Sequence, residues 1–321
     1  MADLADLLEK TSRTFALSIP MLPEPTRLEV TVAYLLFRIA DTFEDAAVWT
    51  KERRISALTD FAALLDQPAE EAQRRAEELA AAWADGVPSE HQGYLELLAA
   101  TPFVLARYAA LSDAARERVG HHTVRTAEGM ARFVARSDER GNLQLADERD
   151  LVDYCYVVAG IVGELLTDLF LLDRPALAGD AEFLGRRAAL FGEALQLVNI
   201  LKDSEADARE GRRFLPADLD RAVVFARARR DLVAASEYVL SLQQAQIARG
   251  VDRGLVAFTA LPVRLAWATL DKVENEGPGS KVSRDEVFRL VAELETALDE
   301  GTPATPLPAA TSPPATPYSS L

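Results

Sequence analysis

Apolar residues recur along this chain with the spacing of one helix face, whereas the alternating pattern of a β-strand is nearly absent. Ala, Leu, Glu and Arg, which favour helices, fill the long segments between prolines. Because proline disrupts helix interiors, these prolines divide the pattern into separate elements. The pattern predicts helices at 26–47, 51–66, 71–84, 90–112, 114–138, 148–172, 181–209, 217–249, 252–275 and 284–300.

The C-terminal residues differ in composition from the rest of the chain. Residues 302–321 read TPATPLPAATSPPATPYSSL, which is rich in Pro, Ala, Ser and Thr and has no charged side chain. Such a segment buries too little apolar surface to offset the entropy lost on ordering. We therefore expect one all-α domain over residues 1–301, followed by a disordered tail over 302–321.

Charge narrows the classes of partner. The 321 residues include 35 Lys and Arg against 51 Asp and Glu, which gives a formal net charge of −16. This balance argues against nucleic acid, because phosphate binding needs a concentrated basic face. A bound diphosphate would need a metal cation to bring most of the positive charge. The single cysteine, Cys155, excludes an intrachain disulfide and fits a reducing compartment.

The lengths of the apolar runs help to predict where in the cell the protein lies. The acidic N-terminal segment lacks the basic and then apolar pattern of a signal peptide. Apart from the polar C-terminal segment, no uncharged run, 154–163 included, reaches the roughly 18 apolar residues of a membrane-spanning helix. We expect a cytoplasmic protein with at most peripheral membrane contact.

A polar stripe crosses the apolar helix predicted at 26–47. Asp41 and Asp45 are one turn apart on one helix face, about 40° from each other. Arg38 and Tyr34 extend the same stripe toward the N-terminus. Unpaired buried charges are costly, so the stripe should face a polar cavity or a partner. An ion pair between Arg38 and either aspartate at a solvated helix end is the alternative.

A second polar stripe lies on the helix predicted at 181–209. Gln196, Asn199, Asp203 and Asp207 recur at spacings of three, four and four, while apolar residues cover the other faces. Two such helices facing each other could hold Mg²⁺, which prefers oxygen ligands. An internal ion-pair network could produce the same pattern.

Cationic residues accompany these aspartates. They are found in Ser12-Arg13-Thr14, at Lys202, and in Gly211-Arg212-Arg213. Arginine is usually a solvated surface residue, so one such cluster alone would carry little weight. Combined with the four aspartates, the cations describe a diphosphate clamp.

These segments together resemble the squalene/phytoene synthase family, the head-to-head prenyl transferases. They stand in the order and spacing of that family over about residues 11–275. The resemblance implies an all-α isoprenoid synthase fold with helices around a central cavity and aspartate-rich helices on opposite walls. The matching segments are 12–15, 38–45, 154–163 and 196–207, and the last match continues through 211–216.

The resemblance also implies a reaction. Two farnesyl diphosphate molecules would condense, with Mg²⁺, to presqualene diphosphate, which NADPH would reduce to squalene. The implied Mg²⁺ ligands are Asp41, Asp45, Asn199, Asp203 and Asp207, supported by Glu44 and Gln196. The implied diphosphate-binding residues are Ser12, Arg13, Arg38, Lys202 and Arg212. The implied catalytic residues are Tyr154 in the first half-reaction and Phe258, facing a carbocation, in the second, together with Arg38 and Tyr34.

Each aromatic assignment has a plainer alternative. Tyr154 could be a core aromatic residue with a satisfied hydroxyl group, and Phe258 could simply line the cavity. No dinucleotide fingerprint supports NADPH, because the glycines at 277 and 279 lack a preceding strand and a third glycine. Only the position of the loop through Lys281 and Arg284 resembles a cofactor-contacting segment.

Other functions remain open. Residues 41–45 and 257–262 resemble the squalene-forming branch of the family, whereas residues 211–218 are close to the phytoene type. Lys202 stands where the family usually has Arg, and Val263 stands where the squalene-forming branch often has Gln. A phytoene or dehydrosqualene synthase without NADPH is therefore the nearest alternative. A class I terpene cyclase lacks support from an adjacent-Asp pattern, and a non-catalytic helical scaffold is the remaining possibility.

Overall fold

The computed structural model describes residues 3–12, 14–84, 86–138 and 141–307, and helices dominate it. Each predicted helix is found, so the prediction of an all-α protein is confirmed. The helices are α1 Leu4–Thr11, α2 Phe15–Ser18, α3 Thr26–Glu44, α4 Lys51–Leu65, α5 Ala69–Ala84, α6 Gln92–Ala99, α7 Thr101–Ala109, α8 Asp113–Ala135, α9 Glu148–Cys155, α10 Ile161–Asp173, α11 Ala181–Arg209, α12 Arg221–Arg249, α13 Arg253–Glu276 and α14 Arg284–Glu300.

Short elements account for most differences from the predicted pattern. The helix predicted over 90–112 divides at Ala100, because Pro102 begins a new first turn in α7. Helices α1 and α2 are too short for a clear periodic signal. Two-residue strands, β1 Leu143–Gln144 and β2 Arg212–Arg213, pair in parallel.

The predicted helix over 148–172 contains a π-helical turn at Tyr156–Gly160 between α9 and α10. Close packing against α11 accompanies this turn. A Cβ atom added to Gly192 would lie 1.9 Å from the Ala159 carbonyl oxygen, and one on Gly163 would lie 1.9 Å from the Ala188 carbonyl oxygen. The two backbones therefore approach so closely that only glycine fits, which fixes their relative position.

This same segment, Glu148–Asp173, is long and apolar enough to cross a membrane by length and composition. Within its most apolar window, 56% is buried inside the protein. A core helix of a soluble protein passes the same test, so the segment carries little weight as a membrane span.

The core joins two groups of helices. Helix α11 packs against α10, α12 and α13, while α3 packs against α4, α8 and α10. Aromatic side chains fill the space beside the C-terminal end of α3, where the Phe43 ring lies 4.7 Å from Trp83 and 6.0 Å from Trp49. Burial of such rings contributes much of the stabilisation of a core. The packing thus holds the C-terminal end of α3 rigidly.

The first residues of the predicted tail pack on the helical body instead of leaving it. The Gln243 side chain donates to the Thr302 carbonyl at 2.7 Å and accepts from the Ala304 amide at 2.9 Å. Arg264 donates to the Ala304 carbonyl at 2.6 Å, and Thr305 is buried. The predicted boundary at residue 301 thus needs correction, because these backbone groups find partners on α12 and α13. The rest of the predicted tail, 308–321, lies outside the described residues.

Candidate active site

The C-terminal half of α3 carries the first acidic wall. The Arg38 guanidinium lies 3.3 Å from the Asp41 carboxylate and donates to the Tyr34 hydroxyl at 3.3 Å. That hydroxyl donates to the Thr11 carbonyl at 2.8 Å. The rings of Tyr34 and Tyr94 flank the guanidinium at 5.6 and 5.3 Å. The Arg38–Asp41 ion pair left open by the sequence is therefore present, and it holds Arg38 beside the wall.

Helix α11 carries the second acidic wall. Lys202 donates to the Asn199 side chain at 3.1 Å and lies 3.2 Å from the Asp203 carboxylate. One turn further along the helix, the Asp207 side chain is only 17% exposed. The amide of Gly279 donates to the Lys202 carbonyl at 2.7 Å, so the loop after α13 reaches this wall.

Arg212 joins the two walls. Its Nη1 atom contacts the Asp45 carboxylate of α3, and its Nη2 atom lies 3.4 Å from Asp207 of α11. The same Nη2 atom lies 2.6 Å from Glu210. Asp45 and Arg212 are 167 residues apart in sequence, yet they form one ion pair. The two stripes predicted from sequence therefore share one cation.

Two backbone features place Arg212. Strand β2 pairs Arg212 with Leu143 of β1. Gly211 has φ +81°, and a Cβ atom there would lie 1.9 Å from the Asn142 side-chain oxygen. Glycine adopts this left-handed conformation without strain, so the chain turns sharply out of α11 and returns Arg212 to its face.

Burial raises the pKa of one carboxyl group on each wall. The pKa of Asp41 rises to about 6 through desolvation, with Arg38 opposing the rise and Asp45 adding to it. The pKa of Asp207 also rises to about 6 through desolvation, with Arg212 opposing the rise and Asp203 adding to it. A cation bound beside a desolvated carboxylate stabilises its charged form.

A second layer lies behind α3. Arg54 of α4 is buried and donates through Nη2 to the Glu44 carbonyl at the end of α3. Burial, and then the charge of Asp45, raise the pKa of Glu44 well above its usual range, whereas Arg54 and Arg212 oppose the rise. A cation at a helix C-terminus interacts favourably with the helix dipole. Arg54 thus fixes the end of the helix that presents Asp45.

Tyr154 lies beside this layer in an aromatic setting. Its ring stacks on Phe214 at 4.6 Å and meets Phe133 edge-on at 5.1 Å. Burial and the nearby Glu44 and Asp45 raise the pKa of Tyr154 well above its usual value. The phenol is therefore neutral at ordinary pH, and a neutral hydroxyl faces the acidic site.

The structure brings most of the predicted residues together, but several lie apart. The Ser12 hydroxyl accepts from the Phe15 amide at 2.9 Å, and Arg13 lies outside the described residues. Gln196 is half-buried on α11. Phe258 is buried and meets Phe170 edge-on at 6.2 Å. Across the described ranges no ring contact links Phe258 to the acidic walls, so its predicted role stays a prediction.

Sequence reasoning missed three neighbours of the site, namely Arg54, Tyr94 and Phe214. Arg54 stands next to Arg53 in a charged helix start, which resembles any solvated helix face. Tyr94 and Phe214 read as ordinary apolar residues of their own segments. Only the spatial approach of distant segments identifies them, and one sequence contains no signal for that.

The donor atoms suit Mg²⁺, although they are not gathered around a metal position. In the part of the chain that the structure describes, no three His, Cys, Asp or Glu side chains form a group that could hold a metal ion. Mg²⁺ is usually bound by one or two carboxylates together with substrate phosphates and waters. Each wall supplies a carboxylate pair, Asp41 with Asp45 and Asp203 with Asp207. The cationic position of Arg212 between the walls shows that positive charge is favourable there.

An all-α body that presents two acidic helix faces, joined by cationic side chains, defines an isoprenoid synthase fold of the prenyl transferase class. Residues 8–292 match the squalene/phytoene synthase family. The chain belongs to that family.

Curated relatives agree with this assignment. A squalene synthase of Mycosarcoma maydis is 32% identical over 219 residues, which is 67% of this chain and 35% of that protein. The squalene synthase of Schizosaccharomyces pombe is 28% identical over 66% of this chain and 43% of its own length. The squalene synthase of Bos taurus is 30% identical over 66% of this chain and 45% of its own length. The chain thus matches less than half the length of these relatives.

Solved structures share the fold. The structure of TcSQS with the ligand BPH1237 superposes with a TM-score of 0.65 at 25% identity, covering 92% of this chain and 87% of that one. A dehydrosqualene synthase in complex with a ligand gives a TM-score of 0.53 at 19% identity, covering 92% and 95%. The second likeness is one of fold alone. The predicted isoprenoid synthase fold is confirmed.

Proposed function

We propose that this protein is a squalene synthase. It condenses two farnesyl diphosphate molecules, with Mg²⁺, to presqualene diphosphate and reduces this with NADPH to squalene. The observation that carries the proposal is the pair of aspartate-bearing walls, α3 and α11, which meet at Arg212. Squalene synthases among the relatives favour this branch of the family.

Mg²⁺ ions, when bound, neutralise the departing diphosphate as Lewis acids. The proposed ligands are Asp41, Asp45, Asn199, Asp203 and Asp207. Desolvated carboxyl groups on both walls support this assignment, since a divalent cation relieves the unfavourable burial of their charge.

The cationic side chains complete the diphosphate site. Arg38 is held beside α3 by its aromatic and hydroxyl contacts, so little motion is needed to present its remaining N–H groups. Lys202 provides a point charge, and Arg212 provides a planar fork that suits a phosphate. Preorganised cations of this kind stabilise the negative charge that develops on the leaving group.

Tyr154 and its neighbours act on the carbon skeleton. The stacked Phe214 and the edge-on Phe133 exclude water, which would otherwise capture an allylic cation. Because the raised pKa keeps Tyr154 protonated, it serves as a neutral hydroxyl group that orients the proton leaving the substrate. We assign the acceptance of that proton to an anionic group nearby, not to the phenol itself.

The reductive step rests on the family branch and on one loop. The loop after α13 is tied to the α11 wall through Gly279, and two exposed cations, Lys281 and Arg284, follow within five residues. They suit the phosphates of NADPH. Against this step, Val263 is buried and apolar where the squalene-forming branch often has Gln. Val263 favours the second candidate, a phytoene or dehydrosqualene synthase that needs no NADPH.

Product analysis decides between these functions. Purified protein is incubated with Mg²⁺ and either farnesyl or geranylgeranyl diphosphate, with and without NADPH, and the products are identified by mass. Squalene from farnesyl diphosphate and NADPH supports the proposal. Dehydrosqualene or phytoene formed without NADPH supports the second candidate. The absence of any condensation product with either substrate contradicts both.

We also propose that the protein is cytoplasmic, with at most peripheral membrane contact. Fractionation of cells that produce the full chain tests this. Recovery in the soluble fraction or after a salt wash agrees with the proposal, whereas a strict requirement for detergent contradicts it.

A further inference from the structure

Arg212 occupies a position that the proposed metal ligands would have to give up. Its guanidinium contacts Asp45 and Asp207, one from each wall, and also Glu210. The side chain is 22% exposed, so solvent screens these contacts only in part. A carboxylate oxygen engaged by a guanidinium has fewer lone pairs free for a metal ion.

The position of Arg212 is built into the backbone. The positive φ at Gly211 favours glycine, and the pairing of Arg212 with Leu143 holds the backbone of the next residue. These two features fix the backbone from which the Arg212 side chain extends to both walls. Its Nε atom is buried and has no hydrogen-bond partner among the described residues. That leaves one donor idle while the other nitrogens face carboxylates.

We propose that Arg212 is the internal cation between the two walls when no metal is bound, and that Mg²⁺ displaces it from Asp45 and Asp207 and thereby frees it to bind the diphosphate. This inference rests on the proposed function, because it assumes that both ligands bind between the walls. Arg212 is then a residue that links two binding events. It opposes metal binding alone and favours diphosphate binding once the metal is present.

The exchange predicts opposite effects on two affinities. In Arg212→Met the carboxylates lose their competing cation, so the metal alone should bind more tightly. The diphosphate should bind more weakly, because the freed guanidinium is missing. A purely structural role for Arg212 would weaken both affinities, and a simple phosphate ligand would leave metal binding alone unchanged.

Isothermal titration calorimetry of the full chain measures both affinities. Mn²⁺ is titrated alone as the metal probe, and inorganic pyrophosphate is then titrated in saturating Mg²⁺. We expect Arg212→Met to bind Mn²⁺ about fivefold or more tightly, and pyrophosphate about fivefold or more weakly, the lower end of typical coupling between sites. Unchanged or weaker Mn²⁺ binding in this variant overturns the inference.

Two further variants keep the test decisive. Arg212→Lys retains the charge but cannot span both carboxylates with a fork, so Mn²⁺ binding should tighten to a smaller extent. Arg212→Lys replaces Arg212→Met in the titrations if Arg212→Met does not fold. Arg209→Met is the matched control, because Arg209 is 75% exposed and, among the described residues, pairs only with Glu205 one turn away. Both affinities should stay unchanged in this control.

The same titrations distinguish a failure of the Arg212 exchange from a failure of the proposed function. If the wild-type protein binds pyrophosphate with Mg²⁺ but Arg212→Met does not gain metal affinity, the exchange is wrong and the proposed function stands. If the wild-type protein binds neither Mn²⁺ nor pyrophosphate with Mg²⁺, the proposed function and the exchange both fail.

Discussion

Two clusters of charged side chains lie between helices of this protein, and they are balanced differently. The α8–α10 cluster consists of His122, Arg125, Tyr156, Glu164 and Asp168. In it His122 meets Asp168 at 2.9 Å, and Arg125 meets Glu164 at 2.8 Å and the Tyr156 hydroxyl at 2.5 Å. Each ionisable side chain there has a hydrogen-bond partner within the cluster.

At the α3–α11 walls the balance is acidic. One guanidinium, that of Arg212, is shared among Asp45, Asp207 and Glu210, while burial raises the pKa of Asp41. Ionisable side chains between helices are therefore not by themselves a site. A cluster that satisfies its own charges stabilises the fold, whereas one that lacks positive charge is completed by a ligand.

The largest expected difference between the clusters is in catalysis. Asp207→Asn should lower kcat by about a hundredfold or more, the scale of losing one group that stabilises developing charge. Asp168→Asn, the same substitution in the α8–α10 cluster, should leave the activity per folded molecule within a factor of a few. Steady-state rates of farnesyl diphosphate consumption check both. Equal losses in the two variants would remove the distinction between the clusters.

A substitution between the two clusters tests the close contact of the helices that carry them. Gly192→Ala places a Cβ atom 1.9 Å from the Ala159 carbonyl oxygen, which forces the helices apart. We expect a loss of about 3 kcal/mol in the free energy of unfolding, at the upper end of typical overpacking effects. Gly185→Ala is the matched control on α11, since its Cβ atom would meet nothing within 4 Å.

Denaturant unfolding followed by circular dichroism measures these free energies. Because alanine favours helices over glycine, Gly185→Ala should be neutral or stabilising by up to about 1 kcal/mol. If Gly192→Ala were as stable as Gly185→Ala, the close approach of the helices would not be a packing constraint.

Substitution of one arginine in each cluster should affect stability differently with and without Mg²⁺. Arg125→Met removes the N–H groups that donate to Glu164 and to the Tyr156 hydroxyl, so the free energy of unfolding should fall by about 1–3 kcal/mol whether or not Mg²⁺ is present. Arg212→Met should also lower the free energy of unfolding in the absence of metal. Mg²⁺ should restore it in this variant, because the metal replaces the missing positive charge. Melting temperatures in EDTA and in Mg²⁺ check this. Recovery of Arg125→Met by Mg²⁺ would contradict the assignment of the α8–α10 cluster to the fold alone.

The smallest expected effect is a pH dependence away from both clusters. Burial and the nearby Asp173 raise the pKa of Glu29 to about 7. Because the folded-state pKa exceeds the unfolded value, this carboxyl stabilises the fold at low pH and loses that contribution as pH rises toward and through 7. Glu29→Gln should remove on the order of 1–2 kcal/mol of this dependence between pH 4.5 and 7.5.

Denaturant unfolding of the wild-type protein and Glu29→Gln across that range provides the measurement. The free energy of unfolding of Glu29→Gln minus that of the wild-type protein should change with pH. This difference should be more favourable to the variant at pH 7.5 than at pH 4.5. A constant difference would show that Glu29 titrates with an ordinary pKa.

The sequence pattern predicts the helices well, because each buries one face and the period is visible over many turns. The polar stripes on α3 and α11 are equally visible, since Asp41, Asp45, Asp203 and Asp207 interrupt apolar helices. The sequence does not show that the two stripes meet at Arg212. Their meeting depends on a turn at Gly211 and on an approach between segments 167 residues apart.

Other differences have similar physical causes. Arg54 reaches a backbone carbonyl at the end of α3, and Gln243 binds the backbone of Thr302 and Ala304. Backbone acceptors are the same for every residue type, so the sequence gives no sign of which side chain will find them. The docking of a segment with disordered composition follows from these contacts.

In the proposed function the two acidic walls act together on a metal–diphosphate ligand. Thermal unfolding of the wild-type protein with Mg²⁺ and inorganic pyrophosphate tests it most directly, alongside Asp41→Asn on α3 and Asp203→Asn on α11. We expect Mg²⁺ and pyrophosphate together to raise the melting temperature of the wild-type protein, and each single substitution to abolish most of that rise. A rise that survives substitution on either wall would contradict the claim.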